Sequence, residues 1–132
     1  MASSFKSLRV WQDAMEFTVN VYHATAQFPR HELYGLTQQL RRAAVSVPSN
    51  IAEGKGHRSA REFANFLLHA RGSLLEVQTQ LMIAEQLQYL SRDEANRLQL
   101  LSDAIGRSLN SLINSMRGNA HQAKGQRLAT ND

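Results

Sequence analysis

Residues 40–80 read LRRAAVSVPSNIAEGKGHRSAREFANFLLHARGSLLEVQTQ, from Leu40 to Gln80. Within them Phe63, Leu67, Ala70, Leu74 and Val77 step by four and three, and the steps continue to Leu81 and Ala84. That spacing returns to one side of an α-helix at every step. Ser59-Ala60-Arg61-Glu62 opens the run as a capping box, in which serine holds an orphan N–H and glutamate reaches back. A helix from Ser59 to about Leu87 is therefore expected. A second apolar line, Leu68, Leu75, Met82 and Tyr89, recurs every seven residues. The two lines together are wider than one helix-helix seam needs. A central place in a bundle explains part of that width, and a subunit interface through Leu68, Leu75, Met82 and Tyr89 explains the rest.

The same periodicity extends on both sides. Upstream, Leu33, Leu36, Leu40, Ala43, Val47 and Asn50/Ile51 mark the buried side of a helix from about Glu32 to Glu53. Pro48 interrupts it. A proline inside a helix removes one backbone donor and clashes with the carbonyl four residues back. The helix either kinks there or stops at Val47; Ile51 and Ala52 keep the phase, which favours a kink. Gly54-Lys55-Gly56 then supplies a left-handed glycine cap. Before it, Val10, Ala14, Phe17, Val21 and Ala24 define a helix from about Leu8 to Ala26, with Trp11, Met15, Thr18 and Tyr22 beside them. Phe28-Pro29 ends that helix, because the residue before proline avoids helical geometry. Downstream, Ser91-Arg92-Asp93-Glu94 is a second capping box. Leu98, Leu101, Ile105, Leu109, Leu112 and Met116 follow as a buried face, and Gly118 closes it. The last stretch, NAHQAKGQRLATND, lacks periodicity and reads as a mobile tail. Residues 1–118 are thus expected to form one all-α domain, an up-down-up-down antiparallel four-helix bundle, with 119–132 as its tail.

Composition fits that fold. At 132 residues the chain is one domain and can bury a core unaided. It has no cysteine, which rules out disulfides, a thiol nucleophile and a cysteine zinc site and suits a cytoplasmic location. The start shows no signal-peptide run, and no stretch of about 18 apolar residues predicts a membrane span. The formal charge is +4. Arg30, Arg41, Arg42, Lys55, Arg58 and Arg61 stand against only Glu32 and Glu53 between positions 30 and 61, an excess as large as that of the whole chain. A local basic patch attracts phosphates through steering and counterion release; it also simply solvates a surface.

Catalytic and metal chemistry find no pattern. His23, His31, His57, His69 and His121 include no HExxH, and no Glu-x-x-His motif of di-iron bundles exists. Glu53, Glu62, Glu76 and Glu85 are dispersed rather than paired in contrasting environments. No GxSxG elbow is present. No cofactor, metal or small-molecule substrate is expected, and the chain reads as a non-enzyme. Gly54-Lys55-Gly56-His57-Arg58-Ser59 is not a Walker motif, since its spacing differs and no strand precedes it. It does place a glycine bend and cations at a helix start, where a backbone phosphate can dock; an ordinary turn with basic decoration fits equally. Arg41 and Arg42 either bind phosphate or pair with carboxylates of a neighbouring helix or subunit. Trp11 and Tyr22 can stack on bases, though aromatics on a helical stripe more commonly serve core or interface.

FKSLRVWQDA at residues 5–14, RRAAVSVPSNIAEG at 41–54 and ARGSLLE at 70–76 carry a resemblance to a known family. The sequence resembles the bacterial four-helix-bundle proteins encoded in intervening sequences of large-subunit ribosomal RNA genes. That family is related to the accessory variability proteins of diversity-generating retroelements. The resemblance runs from Phe5 to about Arg117. It implies a ring-shaped homopentamer of four-helix protomers. For the retroelement members it also implies a positive surface, nucleic-acid binding and contact with a reverse transcriptase. Matching positions are Arg41, Arg42, Pro48, Asn50, Glu53, Gly54, Arg71, Gly72 and Glu76. Pro48 and Gly54 are expected to have backbone roles, Gly72 to allow close helix approach, and Arg71 and Glu76 to make polar contacts. No catalytic residue carries over.

The combined expectation is a non-enzymatic, oligomeric accessory protein that binds RNA or DNA through Arg41, Arg42, Lys55, Arg58 and Arg61 without strong sequence preference. A reverse transcriptase is a candidate partner. The rival expectation is a protein-protein interaction scaffold with no nucleic-acid role.

Overall fold

A computed structural model describes the backbone of residues 4–130 and the side chains of residues 4–120. Four long helices account for almost all of it: α1 (Arg9–Thr25), α2 (Leu36–Lys55), α3 (Ala60–Gln86) and α4 (Arg92–Thr130). Short 3-10 turns at Phe5–Ser7 and Arg30–Glu32 precede α1 and α2. No strand occurs among the described residues. α2 packs on α3, α3 on α4, α4 on α1 and α1 on α2, so the helices close a helical bundle around one core.

The expected faces of α1 and α3 are the buried ones. Val10, Ala14, Phe17, Val21 and Ala24 line the core from α1, and Phe63, Leu67, Ala70, Leu74, Val77, Leu81 and Ala84 from α3. Each fully buried large side chain contributes about 1.5–3 kcal/mol by leaving water. Ser59 caps α3 as expected, its Oγ accepting from the Glu62 N–H at 3.0 Å. The return half of that box is not formed, because the Glu62 carboxylate pairs with His57 instead, 2.9 Å from Nδ1. Ser91 caps α4 in the same way through the Glu94 N–H.

Four boundaries and faces differ from the sequence reading. α2 begins at Leu36 rather than Glu32, since Pro29 turns the chain into the 3-10 segment first. Leu33 is consequently 45% exposed, not buried. Glu32 becomes a cap for α2, its Oε1 accepting from the Leu36 N–H at 3.1 Å. At the other end of α2 there is no left-handed glycine: Gly56 has φ −71°, and Gln88 is the non-glycine with positive φ, at 64°. Gln88 ends α3 in a Schellman arrangement, with Tyr89 N–H donating to Ala84 O and Gln88 N–H to Glu85 O. On α4 Ile113, which the expected face left out, is buried, while Leu112 packs at the edge. Finally, α4 does not stop at Gly118 but continues to Thr130. A single glycine in a helix costs only about 1 kcal/mol relative to alanine, less than is needed to break a long one.

Pro48 stays inside α2, which runs through it. The carbonyl it leaves without a helical donor is that of Ala44. The Thr18 hydroxyl from α1 lies 3.1 Å from that oxygen and 2.7 Å from Ala14 O, sharing its proton between them. Gly54 has a packing role instead of a conformational one. A Cβ there would sit 2.6 Å from Phe66 Cβ and 2.9 Å from Phe63 Cδ1, so the α2–α3 contact needs glycine. Gly72 is the reverse case, with open space around a would-be Cβ. The close approach expected there is absent.

Candidate nucleic-acid interface

The structure divides the five candidate cations into two groups. Arg41 and Arg42 lie in the first half of α2; Lys55, Arg58 and Arg61 surround the α2–α3 turn. About 20 Å of helix axis separates the two levels, from 13 residues at 1.5 Å each. They form two separate cationic areas, not one patch.

Arg41 is held within the fold. Its Nε donates to Thr25 Oγ1 at 2.8 Å, an Nη donates to Tyr22 O at 3.3 Å, and the guanidinium lies 4.6 Å from the Tyr22 ring centroid. Those contacts brace α1 against α2. Lys55 is half-buried with its ammonium 5.9 Å over the Phe63 ring. Arg42, Arg58 and Arg61 are exposed. None of the five is ion-paired among the described residues, whose ion pairs are Arg9–Asp13 and His57–Glu62. Among the described residues, therefore, neither Arg41 nor Arg42 pairs with a carboxylate of a neighbouring helix.

The glycine bend offers less to an anion than its sequence suggests. His57 N–H donates to Gly54 O, Gly56 N–H to Ala52 O and Glu53 O, and Glu62 N–H to Ser59. The Glu62 carboxylate, 55% exposed, stands at the same turn and repels anions. His57 lies flat against Phe66, with ring centroids 4.9 Å apart. Arg58 and Arg61 can still meet a phosphate from outside, but the turn is not a cradle.

Beside Arg41 and Arg42 the surface is concave. A hollow of about 500 Å³ is lined by Tyr22, Leu33, Tyr34, Thr37, Gln38, Arg41, Arg42 and Val45. A second of about 360 Å³ adjoins it through Leu33, Thr37 and Arg41 and reaches Arg30. Neither lining includes a carboxylate. Tyr34 was invisible to the periodicity, which absorbed it into a helix that actually begins two residues later. The clue was Gly35 beside an aromatic, just after Pro29.

The expected interface line on α3 is split. Leu75 is 57% and Met82 56% exposed. Leu68 and Tyr89 are partly buried against the protomer's own core. Tyr89 packs on Phe28 and its hydroxyl donates to Glu32 Oε2 at 2.9 Å. That bond and the Leu36 N–H act on Glu32: the N–H, then the phenol, then nearby His31, hold its carboxyl below the usual range. The phenol in turn is pushed up by its bond to Glu32. Arg71 makes its polar contact inside the protomer, donating to Asn110 Oδ1 at 2.9 Å across α3 and α4. Asn50 donates to Ser46, whose hydroxyl meets Ser73, tying α2 to α3.

Among the described residues no three His, Asp or Glu side chains converge as metal ligands, and no helix is long and apolar enough to cross a membrane. The His121 side chain lies outside the described residues.

A solved structure with a similar fold is a protein with unknown function from the S23 ribosomal protein family of Bacteroides thetaiotaomicron VPI-5482. It is 23% identical, with a TM-score of 0.71, over 79% of this chain and 97% of that one. No curated protein matches the chain significantly. Residues 6–111 match the 23S rRNA-intervening sequence protein family, a span covering three of the four helices and much of α4. With that match over most of its length, the chain belongs to the 23S rRNA-intervening sequence protein family.

Proposed function

We propose that this protein is a non-enzymatic, oligomeric accessory factor that binds RNA or DNA through exposed cations, without strong sequence preference. The observation that carries the reading is the unpaired, exposed state of Arg42, Arg58 and Arg61 among the described residues. Cations facing water without carboxylate partners are free to neutralise phosphates and release counterions. Contacts of that kind position a nucleic acid and read no sequence. The family's name, which ties it to 23S ribosomal RNA genes, supports RNA as the ligand. In the finer form of the proposal, up-down-up-down protomers assemble into a cytoplasmic ring of five. Such a ring would carry about +20 from its +4 chains, and weak contacts repeated on one strand would gain avidity. Exposed Leu75 and Met82 support assembly. Support of a reverse transcriptase belongs to the same proposal and needs a protein-binding face besides the cations.

The test is a salt-titrated binding assay with labelled RNA. Three phosphate contacts per protomer predict a slope of roughly −2 in log affinity against log salt on a single strand. Replacing Arg42, Arg58 and Arg61 with glutamate should abolish binding while the solution mass stays unchanged. Unchanged affinity in that variant, or no salt dependence, would leave the interaction-scaffold reading in its place.

A further inference from the structure

We propose that the hollow at the start of α2 is a nucleobase-stacking pocket, in which a base from single-stranded RNA seats on Tyr34 while its flanking phosphates meet Arg42 and Arg30. This inference rests on the RNA-binding reading and specifies which strand form that surface takes.

Tyr34 is 87% exposed, the extreme among the large apolar side chains of the described residues. It stands between the 3-10 turn and α2, beside the Glu32 carboxylate that caps the Leu36 N–H at 3.1 Å. The hollow beside it, about 500 Å³, lies within the roughly 300–1,000 Å³ of small-ligand sites. Its walls are aromatic and aliphatic, from Tyr22, Leu33 and Val45.

Charge selects the occupant. The two adjoining hollows present Arg30, Arg41 and Arg42 and no carboxylate. Arg41 spends donors on Thr25 and Tyr22 and takes no other partner among the described residues. A guanidinium carries five N–H donors, so it keeps some for a ligand. An aromatic platform ringed by unpaired arginines matches the two faces of a nucleotide, a stackable base and an anionic link. An apolar helix of a protein partner would find no counterpart for three cations. Bases inside a duplex are already stacked and cannot reach a side-chain ring, so the pocket discriminates in favour of single strands.

The experiment compares fluorescence anisotropy of a labelled oligoribonucleotide, alone and annealed to its complement, on the wild type, Tyr34→Ala, Tyr34→Trp and Arg58→Gln. Tyr34→Ala should weaken single-strand binding roughly 5- to 150-fold and duplex binding less than about twofold, from the value of one base-aromatic stack. Tyr34→Trp should restore it. Arg58→Gln should weaken both forms alike. Circular dichroism confirms that the exposed substitutions leave the helices intact. If Tyr34→Ala changes neither form while the wild type binds both with steep salt dependence, the pocket is refuted and the electrostatic reading stands. If the wild type binds neither form, both fail together. If Tyr34→Ala leaves RNA affinity alone and instead alters the solution mass, a second copy fills the hollow and the proposal is overturned.

Discussion

Thr18 Oγ1 lies 3.1 Å from the carbonyl oxygen of Ala44, the acceptor that Pro48 deprives of its helical N–H. A threonine on α1 thus repairs a defect that a proline makes in α2, and the site is buried. An unsatisfied buried carbonyl costs about 1–3 kcal/mol. Thr18→Val, similar in shape, should therefore destabilise the fold by about 1–2 kcal/mol in chemical denaturation at fixed protein concentration. In a Pro48→Ala background the helical N–H returns and the same substitution should cost less, by about 0.5–1.5 kcal/mol. Equal costs in both backgrounds would show that the hydroxyl does not serve the proline's orphan.

Gly54 and Gly72 should respond to alanine with opposite signs. At Gly54 the new methyl meets Phe66 Cβ and Phe63 Cδ1 inside 3 Å. Overpacking of that kind costs about 1–3 kcal/mol. At Gly72 nothing lies within 4 Å, so alanine should add the helix propensity glycine lacks, about 0.5–1 kcal/mol. Thermal melts of the two variants check this directly, and a stabilised Gly54→Ala would contradict the described α2–α3 contact.

These two glycines also show where sequence reasoning succeeds and stops. The core faces of α1 and α3 were legible because their four-three spacing is unbroken and any helix must bury such a stripe. The start of α2 was not, because Leu33 keeps the helical phase while Pro29 and the Glu32 cap move the first turn to Leu36. A single residue's neighbours are tertiary facts. Gly54 reads as a cap from its sequence and proves to be a contact. Arg41 reads either as a phosphate binder or as the partner of a carboxylate, yet it bonds Thr25 and Tyr22 on another helix. Arg42, Arg58 and Arg61 lie at the surface because charged residues off the apolar stripe have nowhere else to go.

Acid should weaken the Glu32 link. The Leu36 N–H, the Tyr89 hydroxyl and His31 hold this carboxyl below its ordinary range. A carboxylate whose folded value is depressed stabilises the fold above its unfolded value and loses that contribution as pH falls through the folded one. The wild type should therefore exceed Glu32→Gln in melting temperature by a constant margin at neutral pH. The margin should shrink once pH drops below about 4.3, the ordinary glutamate value. Tyr89→Phe should narrow the margin as well, since the phenol is the second of the groups favouring the charged form. A margin that stays level on acidification would remove the link from the stability of the fold.

Leu75 and Met82 give the proposed assembly a surface that can be tested apart from RNA. Both lie on α3, seven residues apart and more than half exposed, whereas Leu68 and Tyr89 of the same line are committed to the protomer. Each large apolar side chain buried on association contributes up to about 1.5–3 kcal/mol. Replacing both with glutamate should then weaken self-association by about 3 kcal/mol or more, over 100-fold. Light scattering should show the wild type above the 14.8 kDa of one chain, and the double variant near it. Helix content should not change, because neither side chain belongs to the buried core. An assembled mass that survives the double substitution would move the interface off this face of α3. A wild type that already runs at the mass of one chain at micromolar concentration would end the oligomeric reading and the avidity that depends on it.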